Sequence, residues 1–515
     1  MLRASPSASS ARADDAPPEA ALPQPALSAA TIDDALEAAW RDAKLAPAPL
    51  VDDAGYLRRV SLDLVGTIPG PEEVEAFLAD RAPDKRAKLA ERLLRDPRRA
   101  RHVARWAADR WIGPLDGVPA ARPFLEDFRD FLAGAIQEDR SFAALAAEVV
   151  AAEGTTGQGP ALLYAVRHGR TDYEDFAGAV ARDFLGLELE CARCHDHPFE
   201  AWKQADFHGL AAAFARTRVR PAGPAALRVG EAPLGEHRYT DPKGQAFAAA
   251  PRYPVVTAAE VRPAQLALPG TTATSRRAAF ARWMASLENP WFARNVVDQT
   301  WERLFGAPLA ASGADVAAPE VRLRARLARG FAVGGFSLRA LERAIVTSRV
   351  YQRASAGGAR SPDELARAQA VFAAARVRPL PAPELVDALL AAGGRGAPRP
   401  GELPRLFARQ REGLIADLRG VLPERREAGQ VTSAEALWWL NGRAATGLTR
   451  GPWREAVSGR DPSATLRRVF LRTLGRPPRP AEARALGAHL AASGDEALGD
   501  LFWALVATSE FASNH

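Results

Sequence analysis

Between residues 31 and 215 apolar side chains recur at helical spacing, yet each run is soon stopped by a glycine, a proline or a capping residue. Such a chain can only become a stack of short amphipathic helices that bury one face each against their neighbours. The first runs from Ile32 to Leu45, with Thr31 as its expected N-cap and Asp33 and Asp34 in the first turn, where carboxylates favour the positive end of the helix dipole. Tyr56 to Val65 runs into Gly66-Thr67-Ile68-Pro69, a stop, and Pro71-Glu72-Glu73 opens the next helix. Lys85 to Leu94, Ala100 to Trp111, Phe124 to Gln137 and Phe142 to Ala151 continue the pattern.

The texture changes between Val219 and Ser275, where Pro and Gly are frequent and Glu236-His237-Arg238-Tyr239-Thr240 precedes the turn signal Asp241-Pro242-Lys243-Gly244. Helices resume near Arg276 and continue to the end, broken by the surface loop Gly393 to Gly401. The fold expected is mainly α: a multi-helix, two-domain protein with a small β-hairpin or irregular insert between the domains. The expected division is a tail over 1–30, a helical domain over 31–216, a Pro/Gly-rich insert over 217–275 and a second helical domain over 276–515.

One module occurs twice. Leu57-Arg58-Arg59-Val60-Ser61-Leu62 matches Leu466-Arg467-Arg468-Val469-Phe470-Leu471, and the same register pairs Gly66 with Gly475, Pro69 with Pro478, Pro71 with Pro480 and Glu73 with Glu482. Each copy predicts a helix, a turn built by the repeated Gly and Pro, and two further helices, the last ending near Leu94 and near Val506. Arg59 and Asp63, four apart, read as a surface ion pair rather than as catalytic groups.

Several classes are excluded. No apolar run reaches the roughly 18 residues of a membrane-spanning helix, because Arg, Asp or Glu interrupts each one. The 68 basic and 62 acidic residues leave a net charge of +6, but only Lys44, Lys85, Lys88, Lys203 and Lys243 are lysines, and the arginines lie scattered among carboxylates. That is the usage of a GC-rich genome, with no basic cluster or aromatic-basic motif for nucleic acid. No G-x-S-x-G, P-loop, dinucleotide fingerprint or H-E-x-x-H is present, so no catalytic constellation is visible. Residues 1–30 have no apolar stretch of a complete export signal, but Ala11-Arg12-Ala13 before Asp14-Asp15 has the pattern of a signal-peptidase site, and a longer leader is one expectation.

The chain has two cysteines, and they fall in Cys191-Ala192-Arg193-Cys194-His195, the C-x-x-C-H used to attach c-type haem. On a helix these three residues share a face, so both thiols reach the vinyl carbons while His195 turns to the iron. Phe184, Phe199, Trp202, Phe207 and Phe214 are the expected apolar pocket. With Met284 the one methionine besides the initiator, His208 or His168 is the expected distal ligand, and His197 reaches the same iron poorly. Two other readings stand beside this one: a zinc site of Cys191, Cys194, His197 and His208, and a disulfide in an exported protein. His102, His237, His489 and His515 read as surface or capping residues, and Trp106, Trp111, Trp301, Trp438 and Trp439 as core.

With these residues in view, the chain resembles a two-part family in which planctomycete-specific cytochrome C domain 2 is followed by planctomycete-specific domain 1. The first part rests on Tyr56 to Leu64, Ile68-Pro69, Glu72-Glu73-Val74, Phe184-Leu185-Gly186 and Cys191 to Phe199; the second rests on Asn289 to Arg294, Trp301, Leu304-Phe305-Gly306, Ser348 to Arg353 and Ser509-Glu510-Phe511. The resemblance implies haem c on Cys191, Cys194 and His195 and export to the periplasm; the partner expected for such a chain is a redox or cell-envelope protein. It brings no catalytic residues and no substrate. The Asn-Pro-Pro-Ser-His segment that usually follows Phe-Gly in the second part is replaced here by Ala307 through Val321, which lacks that histidine.

Overall fold

Several helices in this chain start on a side-chain cap. In the computed structural model the first helix is Ala29–Asp42, and its cap is Ser28, whose hydroxyl accepts from Thr31 N–H at 3.3 Å; the expected cap Thr31 lies inside the helix. Ser141 caps Phe142–Ala151 and Asp172 caps Tyr173–Val180 in the same way. Pro71 occupies the first turn of Pro71–Ala79, where its missing N–H costs nothing. The structure describes residues 27–113, 115, 123–170, 172–223, 226–254, 256–257, 268, 271, 274–311, 314–355, 361–396, 404–422, 432–442, 447, 451–457, 459 and 461–515. The expected tail, its Ala11-Arg12-Ala13 and the end of the Gly393–Gly401 loop therefore lie outside the described residues.

The described chain is mainly helical, with antiparallel sheets of two or three short strands. The expected hairpin forms from His237–Thr240 and Ala246–Ala249, joined by a turn in which Asp241 Oδ1 accepts from Lys243 and Gln245 N–H and Gly244 takes a left-handed φ of 83°. A second sheet pairs Thr217–Pro221 with Leu227–Glu231 and adds the two-residue strand Gly154–Thr155 from outside the insert. None of the described helices is long and apolar enough to cross a membrane.

The chain forms two compact units, each of which draws on both halves of the sequence. Unit 1 contains Val103–Trp301 and Pro308–Leu341. Its interior is aromatic: Trp111 meets Phe184 at 4.9 Å, Tyr164 meets Phe184 at 5.2 Å, and Phe214 lies between Phe176 and Phe280 at 5.0 and 5.2 Å.

Unit 2 contains Ser28–His102, Glu302–Ala307 and Glu342–His515, and so holds both copies of the repeat. Asp53–Val65 ends on Gly66 at φ 72°, and Pro462–Thr473 is followed by Gly475 at φ 71°. An added Cβ at Gly66 would stand 2.5 Å from His102 Nδ1, so this turn requires glycine on two counts. The copies then diverge. Pro83 separates Pro71–Ala79 from Lys85–Leu94, whereas the second copy has no proline there and runs as one helix, Pro480–Val506. Its apolar face packs Leu501 and Phe502 with Leu385, Leu389, Phe470 and Trp453.

Arg59 and Asp63 are buried, not the surface pair expected. Asp63 accepts from the Tyr351 hydroxyl at 2.6 Å, from Asn514 Nδ2 at 2.8 Å and from Arg378 at 2.7 and 2.9 Å. Arg59 donates to the Tyr351 and Arg353 carbonyls at 2.7 and 2.8 Å. Arg58 reaches the Thr473 and Phe511 carbonyls at 3.2 and 2.8 Å, and burial pulls its pKa down to about 10. His102 is also buried, contrary to expectation, while His515 is half-buried and His489 exposed. Removing one partner from a buried network leaves the others unpaired, so Asp63→Ala is expected to lower the unfolding free energy by about 3 kcal/mol or more. A denaturant titration that finds a loss below about 1 kcal/mol would show that this network is dispensable.

Candidate functional site

The path to the C-x-x-C-H segment begins at a helix end. The helix Tyr173–Val180 passes into the π-turn Ala181–Leu185, which frees the Asp183 carbonyl to accept from Asn295 Nδ2 at 2.9 Å and Gln299 Nε2 at 3.2 Å. Gly186 then reverses the chain at φ 67°, and a Cβ there would lie 2.8 Å from Asn295 Oδ1. The Asp183 carboxylate accepts from the Tyr164 hydroxyl at 2.9 Å, and burial raises its pKa.

Glu190–Arg193 is a single 3-10 turn, not the α-helix expected, because the chain leaves helical geometry after Arg193. Ala192 is fully buried and anchors the turn, while Cys191 and Cys194 on either side are free and exposed. Arg193 is tied down at both ends. Its guanidinium bonds Asp172, Glu174 and Asp175 at 2.6, 2.7 and 2.9 Å, and its carbonyl accepts from His208 Nε2 at 3.0 Å and Gln204 Nε2 at 3.3 Å.

Each predicted histidine has a defined role. The ring of His195 is exposed and its Nδ1 lies 2.7 Å from the Asp196 carbonyl. A carbonyl only accepts, so Nδ1 carries the proton and Nε2 is bare. His197 closes the loop: its ring Nδ1 accepts from Phe199 and Glu200 N–H at 3.3 and 2.9 Å, and its backbone N–H donates to the Trp202 carbonyl at 2.9 Å. Asp196 binds Gln204 N–H and Lys203 Nζ, each at 3.0 Å, and the Gln204 N–H leads in holding its carboxyl below the usual range.

His208 lies inside, with Nδ1 2.7 Å from His237 Nε2, and burial lowers the pKa of both rings. His237 is 0% exposed, not the surface residue expected; in the strand its side chain lies on the same face as Tyr239, whose ring stacks on His208 at 4.0 Å. The alternation in Glu236 to Thr240 carries that signal. His168 is committed elsewhere: Nε2 lies 2.7 Å from the Trp111 carbonyl, and burial presses its pKa down to about 4.

The structure brings Cys191, Cys194 and His195 onto one exposed loop. It does not bring the zinc set together: among the described residues, no three of Cys191, Cys194, His197 and His208 place ligand atoms within 4.8 Å of one another. Nor do the five expected aromatics form a pocket over the loop. Phe184, Phe207 and Phe214 belong to the interior, Phe199 is 93% exposed, and Trp202 packs on Trp291 at 5.6 Å. Cys191, Cys194 and His195 are accessible from solvent, and the five aromatics build no enclosed pocket over them.

A helical protein with a C-x-x-C-H loop on its surface is the class these features define. Residues 31–219 match the family model PSCyt2 and residues 276–412 match PSD1, described as "Protein of unknown function (DUF1549)" and "Protein of unknown function (DUF1553)". The chain belongs to the two-part family of planctomycete cytochrome C domain 2 followed by PSD1. No curated protein and no solved structure matches the chain.

Two outcomes test this geometry. Arg193→Ala removes the cation that holds three carboxylates, so amide exchange at His197 and Gln204 should accelerate about tenfold or more while global stability changes by under about 1 kcal/mol. Unchanged exchange would mean that the loop holds itself. His168 is neutral in the folded chain down to about pH 4, whereas the unfolded chain takes up a proton near its ordinary value of about 6.5. Its contribution is complete above pH 6.5 and is lost as pH falls toward 4, at most about 3 kcal/mol. His168→Asn should flatten that part of the stability profile; a profile as steep as the wild type's would place the proton uptake elsewhere.

Proposed function

We propose that the loop is a covalent haem-attachment site and that the chain carries single electrons in the periplasm to or from a cell-envelope protein. The observation that supports this best is the state of His195. An iron-ligating histidine usually donates its second ring N–H to a carbonyl or carboxylate, which fixes the tautomer and raises the basicity of the ligating nitrogen. His195 donates Nδ1–H to the Asp196 carbonyl and presents a bare Nε2. The two thiols beside it are free and exposed, as a maturation enzyme requires.

When bound, haem would supply a one-electron iron centre. The chain does the rest. Cys191 and Cys194 would anchor the ring, Arg193 holds the turn between them, and the Lys203–Asp196 pair with the Gln204 N–H keeps Asp196, and so the His195 acceptor, in place. A loop exposed on this scale leaves the cofactor edge open to a protein partner, without an enclosed substrate pocket.

The test is a pyridine haemochrome spectrum of the chain carrying an export signal and expressed with cytochrome c maturation factors. The expected result is a c-type band lost in Cys191→Ser and in Cys194→Ser. Absence of haem, with Cys191 and Cys194 recovered as a disulfide, would overturn the proposal in favour of a non-enzymatic envelope scaffold.

A further inference from the structure

Beneath the loop lies a second group of ligands that uses neither cysteine. Glu174, His208 and His237 place ligand atoms within 4.8 Å of one another. The two imidazoles are buried, and the carboxylate is partly exposed at the edge. We propose that these three residues form a binding site for a divalent late first-row metal ion of the zinc class, held by His208 Nδ1, His237 Nε2 and a Glu174 carboxylate oxygen.

The hydrogen bonds around the rings determine which nitrogens are available. The Arg193 carbonyl takes the proton of His208 Nε2 at 3.0 Å, so a neutral His208 turns a bare Nδ1 toward His237. That atom is 2.7 Å from His237 Nε2, a separation that places one proton between the two nitrogens. His237 Nε2 carries it, and Nδ1 then accepts from the Tyr173 hydroxyl at 2.9 Å. A metal ion takes the place of that proton. His237 shifts its proton from Nε2 to Nδ1, where the Tyr173 oxygen becomes the acceptor, and no proton leaves the protein.

Both ligating rings would then have an outer partner on the second nitrogen, the Arg193 carbonyl for His208 and Tyr173 for His237, as metal-ligating histidines require. Metal–nitrogen bonds of about 2.0–2.1 Å in a tetrahedral site separate the two nitrogens by about 3.3 Å, so the rings part by about 0.6 Å. The charge favours a cation. Asp172, Glu174 and Asp175 supply three carboxylates against Arg193, with Arg218 as the further cation felt at Tyr173. Two imidazoles and a carboxylate are borderline donors that suit zinc, cobalt or nickel better than magnesium or calcium.

The test is a titration of the chelator-stripped full chain with Co(II) alone, read by its visible absorption bands. The expected result is one Co(II) per chain without a thiolate charge-transfer band, retained within about twofold in the Cys191→Ser/Cys194→Ser double variant. His237→Asn and His208→Asn should weaken binding by about 100-fold or more. Glu174→Gln lies at the edge of the fold and keeps the test readable if a buried change unfolds the chain; it should weaken binding by about tenfold or more. Adventitious Co(II) binding only, affinity unchanged by Glu174→Gln, or loss of the ion in the cysteine double variant would each overturn the site. Because the cysteine variant removes haem attachment and spares this site, failure of one proposal leaves the other standing.

Discussion

The candidate site depends on one cation held by three anions. Arg193 stands between the two cysteines, and its guanidinium meets Asp172, Glu174 and Asp175, the cap and first turn of the helix Tyr173–Val180. Carboxylates gather at that helix start because the dipole favours them, and their repulsion is relieved only by the arginine that the loop brings. The Arg193 carbonyl meanwhile accepts from His208 and Gln204. With Arg193 fixed at both ends and Ala192 buried, the residues on either side are forced outward. The exposure of Cys191, Cys194 and His195 is thus a product of packing beneath them.

The two units use buried charge differently. In unit 2, Asp63, Arg58 and Arg59 bind backbone carbonyls and side chains distant in sequence and hold the two copies of the repeat against the C-terminal strand Ser513–Asn514. Both oxygens of Asp63 are occupied by these partners, and the two arginines are held by backbone carbonyls. In unit 1, beneath the loop, a directed chain of hydrogen bonds runs from Tyr173 through His237 and His208 to the Arg193 carbonyl. Such a chain accommodates a change of proton position or a ligand, whereas the unit 2 network accommodates neither without loss of stability.

What was legible in the sequence was local. The stops at Gly66 and Gly475 and the turn at Asp241 to Gly244 are set by neighbouring residues, and all stand where expected. What was not legible depends on distant partners. Asp63 is buried because Tyr351, Arg378 and Asn514 come to it, and nothing near Asp63 announces them. Phe184 and Phe214 are the same residues whether they face a cofactor or Trp111 and Phe280; only tertiary packing decides. His237 was the nearest miss, since strand alternation with Tyr239 already assigned it to an inward face. Two helices were expected in the second copy as in the first, but it has no proline to part them, and Pro480–Val506 runs unbroken.

The central claim is that this loop carries haem on its own two thiols. The most direct measurement is the mass of the peptide bearing Cys191 and Cys194, released by proteolysis from chain exported alongside the cytochrome c maturation factors. The account predicts that peptide at the mass of its sequence plus one haem, joined through both sulfurs. Recovery of the peptide unmodified, or linked only as a disulfide, would contradict it.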